Sequence, residues 1–219
     1  MRTLWLHGFA SSPASSKAAY VAARLAERGA RLEIPDLNQP AFFDLTISRM
    51  LQRLDDLVPA GRVSLVGSSL GGYTAALWAS ARPERVERLA LLAPAFDLAG
   101  RWEARMGPEH MKTWRERGWF EFDHYGSKRK ERLSPRFLDD AARYDAFPLP
   151  EAPTLVIQGR RDETVDPGLA REFTRRMRGA GREVKLVELD DGHELTADLP
   201  RLWTELSAHL AQEAPRPTP

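Results

Sequence analysis

Cysteine is absent from the 219 residues, which removes disulfides, a thiolate nucleophile and cysteine-ligated metal together. Long apolar runs are missing too: nothing in the sequence is long enough to span a bilayer, and Met1-Arg2-Thr3 leads into an apolar strand without a signal-peptide pattern. Nor is there an excess of either charge, since Lys plus Arg number 32 against 31 Asp plus Glu, for a formal net charge of +1. That balance gives no reason to expect nucleic acid or an anionic membrane as a partner. Histidine is scarce, at five residues, which narrows the search for a general base. Internal repeats are lacking. Together these absences lead to the expectation of a soluble, cytoplasmic protein.

What is present suffices for one substantial core: 42% of residues are hydrophobic and 29% charged. The stretch from Arg62 to Gly72, RVSLVGSSLGG, stands out. Val63, Leu65 and Val66 suit a buried parallel strand, and Gly67-Ser68-Ser69-Leu70-Gly71 fits the pattern G-x-S-x-G. The following YTAALWASA is a good helix former. A serine lifted out of such a strand-to-helix turn sits in a strained backbone conformation, and its neighbours two residues away on each side approach too closely for a Cβ. Gly67 and Gly71 fit that requirement. The turn also places Ser69 at a helix amino end, which favours developing negative charge and makes the Leu70 N–H a candidate oxyanion donor.

Elsewhere, short apolar strands alternate with helices. Leu4 to Leu6 form a first strand that breaks at His7-Gly8-Phe9; Ser15 or Ser16 caps a helix that runs to about Arg28; Leu32 and Ile34 form a short strand; a helix runs from near Phe42 to Leu57; and Val86 to Ala93 form another strand. From about Phe96 to Phe147 the alternation stops, and a polar, aromatic-rich segment reads as short helices without a convincing strand. The alternation resumes with Thr154–Gln158, a helix to Met177, the strand Val184–Leu189 and a last helix from about Thr196 to Ala211. Residues 1–213 therefore read as one domain with 96–148 inserted, and the proline-rich 214–219 as a disordered tail. About six strands alternating with helices imply an α/β fold, a mostly parallel sheet with helices on both faces and reactive loops at the carboxyl ends of the strands.

Two further residues meet that last requirement. Asp162 follows the strand TLVIQ, and His193 follows VKLVEL. A serine hydroxyl needs an imidazole to take its proton, and the imidazole needs a carboxylate to fix its tautomer. The order Ser69, Asp162, His193 is that of one triad-bearing architecture. His110, His124 and His209 are weaker candidates for the base, and Asp166, Asp190 and Asp191 are rivals for the acid. In His7-Gly8-Phe9 the glycine is expected to turn the backbone so that the Phe9 N–H supplies a second oxyanion donor, with His7 orienting the loop. Activity is expected to fall as pH drops through about 6 to 7, where an imidazole takes up a proton.

With these residues in view, the chain resembles an alpha/beta-hydrolase, and LWLHGFASSPASSK with GSSLGGY is similar to the small YqiA/YcfP-like esterases of bacteria. The resemblance implies a minimal alpha/beta-hydrolase fold lacking the first two strands of larger members, and a serine carboxylesterase acting on small-molecule esters through Ser69, Asp162 and His193. It implies no cofactor and no metal. The insert occupies the place of a helical cap over an acyl pocket, with Trp102, Met106, Trp114, Trp119 and Phe120 as candidate substrate-binding residues, and Met111, Phe122 and Tyr125 as further members of an apolar underside. Packing of these side chains onto the body is the competing role. The run 127–132, SKRKER, reads as a solvated stretch of that cap. Thioesterase or peptidase action on the same triad, or a catalytically silent binding protein on this fold, are the alternatives.

Overall fold

A computed structural model describes residues 2–211; the expected tail at 214–219 lies outside the described residues. The elements run β1 (Thr3–Leu6), α1 (Ser16–Ala26), β2 (Leu32–Glu33), α2 (Ile47–Leu57), β3 (Val63–Ser68), α3 (Leu70–Ala81), β4 (Val86–Leu92), α4 (Leu98–Arg117), β5 (Phe120–His124), β6 (Arg129–Leu133), α5 (Arg136–Ala141), β7 (Thr154–Gly159), α6 (Pro167–Gly179), β8 (Val184–Leu189) and α7 (Leu199–Ala211). Six strands form one sheet in the order β2-β1-β3-β4-β7-β8, and every neighbouring pair is parallel.

Both faces of the sheet are covered, which explains why its strands read as continuous apolar runs rather than as alternations. Side chains still alternate between faces. Trp5, Val66, Ala90, Leu92, Leu155 and Ile157 pack with Val21 and Leu25 of α1 and with Leu202, Leu206 and Leu210 of α7. Leu4, Leu6, Leu65, Leu89, Leu91 and Val156 pack on the opposite side, with α2, α3, α6 and the insert. Helix α3 is buried from Leu70 through Ala79, so its small residues allow it to lie flat against the sheet beneath α2. Among the described residues no helix is long and apolar enough to cross a membrane.

Three helix starts differ in detail from the sequence expectation. A 3-10 turn over Phe42–Asp44 is separate from α2, which starts at Ile47 because the Thr46 side chain accepts from the Arg49 N–H. At α1, Ser15 occupies the N-cap position without a capping bond from its side chain. Helix α7 begins at Leu199, three residues late, with Pro200 in its first turn, where a missing N–H costs nothing.

The insert departs further. It holds α4, bent where Gly107 takes φ 73° ahead of Pro108, and α5, but between them β5 and β6 form an antiparallel hairpin. The run 127–132 is thus partly strand. Lys130 pairs with Asp123 at 3.2 Å and Arg132 with Glu121 at 3.6 Å, both directly cross-strand, while Phe120 and Phe122 turn to the core.

Candidate active site

The turn between β3 and α3 carries Ser69 at φ 53°, ψ −116°. A non-glycine residue held there stores about 1–3 kcal/mol of strain and persists only where its surroundings over-determine it. They do so here. The Ser69 N–H donates to the Leu92 carbonyl at 2.8 Å, and its own carbonyl accepts from Tyr73 and Ala95, both at 3.0 Å. A Cβ on Gly67 would lie 2.4 Å from the Gly71 carbonyl oxygen, and one on Gly71 would lie 2.2 Å from that of Leu6. The turn can therefore close only with glycine at both positions.

The loops after β7 and β8 bring two more side chains to the same sheet edge. His193 Nε2 lies 3.0 Å from Ser69 Oγ, and His193 Nδ1 lies 2.8 Å from Asp162 Oδ2. The Asp162 carboxylate is wholly buried and the His193 side chain partly so, at 16% exposed. Asp162 Oδ1 accepts the N–H groups of Thr164 at 2.9 Å and Val165 at 2.8 Å, and Oδ2 also accepts the Gln158 amide at 2.8 Å. Burial alone would push this carboxyl up, but the hydrogen bonds from His193, Val165 and Gln158 outweigh it and hold it below the usual carboxylate range. An ionised carboxylate requires the proton on Nδ1, which leaves Nε2 to accept from the serine hydroxyl. Such a hydroxyl is arranged to give up its proton.

The loop after β1 approaches from the other side, so closely that a Cβ on Gly8 would come within 3.4 Å of Ser69 Cβ. The loop also turns at Ala10, which takes φ 52°. His7 is buried and fixes the loop: Nδ1 donates to the Gly8 carbonyl at 2.9 Å and Nε2 accepts the Leu37 N–H at 3.0 Å. Burial pushes its imidazole below the ordinary range, which suits this neutral, two-bond role. Among the described residues neither the Phe9 N–H nor the Leu70 N–H has an acceptor within the protein. Rivals of the three side chains lie elsewhere or do other work. His124 packs edge-on to Phe42, His209 bonds the Leu89 carbonyl, and Asp166 caps α6.

The insert's aromatic residues divide into two groups. Trp102 lies 4.9 Å from the ring of Phe9 and Phe122 lies 5.4 Å from it; Phe120 is half-buried with its ring 5.4 Å from that of Phe122, and Met106 is half-buried against the same core. Trp114 and Met111 are buried, and Trp114 Nε1 donates to the Leu133 carbonyl at 2.9 Å, so these two hold the insert together. Trp119 stands apart, between the guanidinium groups of Arg117 at 3.5 Å and Arg132 at 3.9 Å. Tyr125 is 78% exposed at the hairpin tip. Among the described residues no group of three or more His, Cys, Asp or Glu is arranged to hold a metal ion.

Two residues near the site escaped the sequence reading, although each left a signal. Gln158 is a polar residue inside the apolar strand TLVIQ. Lys17 lies on the same helical row as Val21 and Leu25, both buried.

Comparison with known proteins sets this geometry among relatives. Residues 2–207 match the model described as "Uncharacterised protein family (UPF0227)". Nothing among curated proteins matches the chain. Solved structures similar to it include Est1E from Butyrivibrio proteoclasticus with ferulic acid bound, at 19% identity and a TM-score of 0.73 over 96% of this chain and 89% of that one. Alpha/beta hydrolase domain-containing protein 10 from mouse gives 23% identity and a TM-score of 0.72, covering 95% and 88%. An esterase of Pyrococcus furiosus gives 18% and 0.62, covering 98% and 83%. At these identities the likeness establishes the alpha/beta-hydrolase fold.

Proposed function

Since the chain belongs to the uncharacterised protein family UPF0227 and has the alpha/beta-hydrolase fold, we propose that it is a serine hydrolase cleaving small carboxylic esters. The observation that carries this reading is the unbroken hydrogen-bond chain from Asp162 through His193 to Ser69, at 2.8 and 3.0 Å, ending on a serine in a strained turn. Ser69 Oγ attacks the ester carbonyl carbon while His193 Nε2 takes its proton. Asp162 stabilises the imidazolium, and the N–H groups of Phe9 and Leu70 receive the negative oxygen. Collapse expels the alcohol, which takes the proton from His193, and leaves an acyl group on Ser69. Water, giving its proton to His193, then attacks that acyl carbon, and collapse releases the carboxylic acid as Ser69 Oγ takes the proton back from His193.

Residues 96–148 act in this reading as a cap on a single domain. Phe9, Trp102 and Phe122 give the substrate an apolar wall beside the oxyanion donors, with Met106 and Phe120 behind it. An aryl or acyl portion suits that wall, and a ferulic acid complex of a relative with the same fold supports it. Trp114 and Trp119 have packing roles instead. Turnover of p-nitrophenyl esters of increasing chain length, with Ser69→Ala alongside, tests the proposal: hydrolysis by the wild type and none by the variant supports it, and no hydrolysis of any ester by the wild type defeats it.

A further inference from the structure

Lys17 is 6% exposed and sits in the first turn of α1, whose first turn holds no acidic residue and whose N-cap serine makes no side-chain capping bond. An ammonium there is doubly disfavoured, by loss of water and by the positive end of the helix dipole. Its Nζ donates to the carbonyl of Glu194, the residue after His193. Burial pushes the ammonium down, and the carboxylates of Glu194, Asp191 and Asp162 push it back toward the charged form.

The His193 loop shows what that bond holds. Its two ends are fixed by Asp191, whose carboxylate accepts the N–H of Gly192 at 2.7 Å and of Ala197 at 2.8 Å, and whose carbonyl accepts the Arg161 N–H at 3.0 Å. His193 and Glu194 form a turn, and among the described residues the Glu194 carbonyl is the one backbone polar group between 193 and 196 that a side chain bonds. Leu195, next in the chain, is held at φ 51°. Without Lys17 the backbone just after the imidazole loses its one side-chain tether, and only the burial of Leu195 in the core still holds the segment between the Asp191 anchors.

We propose that Lys17 is a positioning residue for His193: its buried ammonium, tied to the Glu194 carbonyl, keeps the imidazole in line between Asp162 and Ser69. This rests on the functional reading above for its kinetic consequence but not for its structural one. A displacement of the base by a fraction of an ångström slows proton transfer and leaves substrate binding alone.

The test uses the full chain as wild type, Lys17→Met and Lys17→Cys, the last before and after alkylation with 2-bromoethylamine. Because the chain has no cysteine of its own, alkylation of the unfolded Lys17→Cys chain followed by refolding restores an ammonium at that position alone; untreated Lys17→Cys taken through the same cycle is the reference. Sites titrated with a fluorophosphonate normalise the rates. The expected result is kcat per titrated site about 10- to 100-fold lower in Lys17→Met and untreated Lys17→Cys, KM within about twofold, and most of the loss recovered on aminoethylation. An unchanged kcat per site, a loss confined to the number of titratable sites, or no recovery overturns the proposal. The far-downfield proton resonance of the His193–Asp162 hydrogen bond provides a readout that needs no turnover. If the wild type hydrolyses nothing, the functional reading fails, and this inference still stands on a resonance that moves or broadens in Lys17→Met and falls on one that does not.

Discussion

Gln158 and His193 share a single oxygen of Asp162: both reach Oδ2 at 2.8 Å. The shared acceptor makes Gln158, buried in β7, the partner that turns the carboxylate toward the imidazole. Its own Oε1 is buried without a hydrogen bond among the described residues. Gln158→Leu removes a useful donor and an unsatisfied acceptor together, so stability is expected to stay within about 1 kcal/mol. Turnover is expected to fall about tenfold, because Asp162 holds His193 less firmly. Thermal unfolding and kcat measure the two, and an unchanged kcat contradicts the role.

The glycines of the turn make a contrasting pair with one in α6. Gly71→Ala places a methyl 2.2 Å from a backbone oxygen, which no rotamer relieves, and a loss of about 3 kcal/mol or more is expected. Gly179→Ala meets nothing within 4 Å and adds a helix former, so a gain of up to about 1 kcal/mol is expected. Denaturant midpoints of the two variants check both signs.

Acid stability should depend on His209. Burial, with Arg88 nearby, pushes its imidazole from 6.5 down to about 4. The unfolded chain therefore takes the proton first as pH falls. Above pH 6.5 neither state is protonated and the residue has no effect; between 6.5 and 4 stability is lost at up to about 1.4 kcal/mol per pH unit; below 4 the loss levels off. His209→Gln keeps an N–H for the Leu89 carbonyl without the charge, and should flatten this slope relative to the wild type in unfolding measured from pH 7.5 to 4.

Trp102 and Trp119 should behave differently although both are tryptophans of the insert. Trp102→Ala removes a wall beside Phe9 and is expected to raise KM for aryl esters by about tenfold with a smaller change in kcat. Trp119→Ala breaks the stack with Arg117 and Arg132, costing about 1 kcal/mol or less, and leaves KM unchanged. Equal effects on KM would place the substrate elsewhere.

The sheet and its carboxyl-end loops were legible because parallel strands covered on both faces need largely apolar runs, and Leu4–Leu6, Val63–Val66 and Thr154–Gln158 supply them. Ser69, Asp162 and His193 could be picked out by position after such runs, and the structure brings them within hydrogen-bonding distance. The hairpin was illegible for the opposite reason. Arg129–Leu133 is held by charge pairs across to Glu121 and Asp123, which a hydropathy reading takes for a solvated stretch, although Phe120-Glu121-Phe122-Asp123 does alternate. Lys17 shows in the sequence only as a charge on the apolar row of Val21 and Leu25, and nothing local reveals that its partner lies 177 positions away.

Mass analysis of the chain after treatment with a fluorophosphonate tests directly whether Ser69 is an activated nucleophile. One adduct per chain is expected, on Ser69, absent in Ser69→Ala and slowed by several orders of magnitude in His193→Ala. An unlabelled wild type, or an adduct that persists in Ser69→Ala at the wild-type rate, would contradict it.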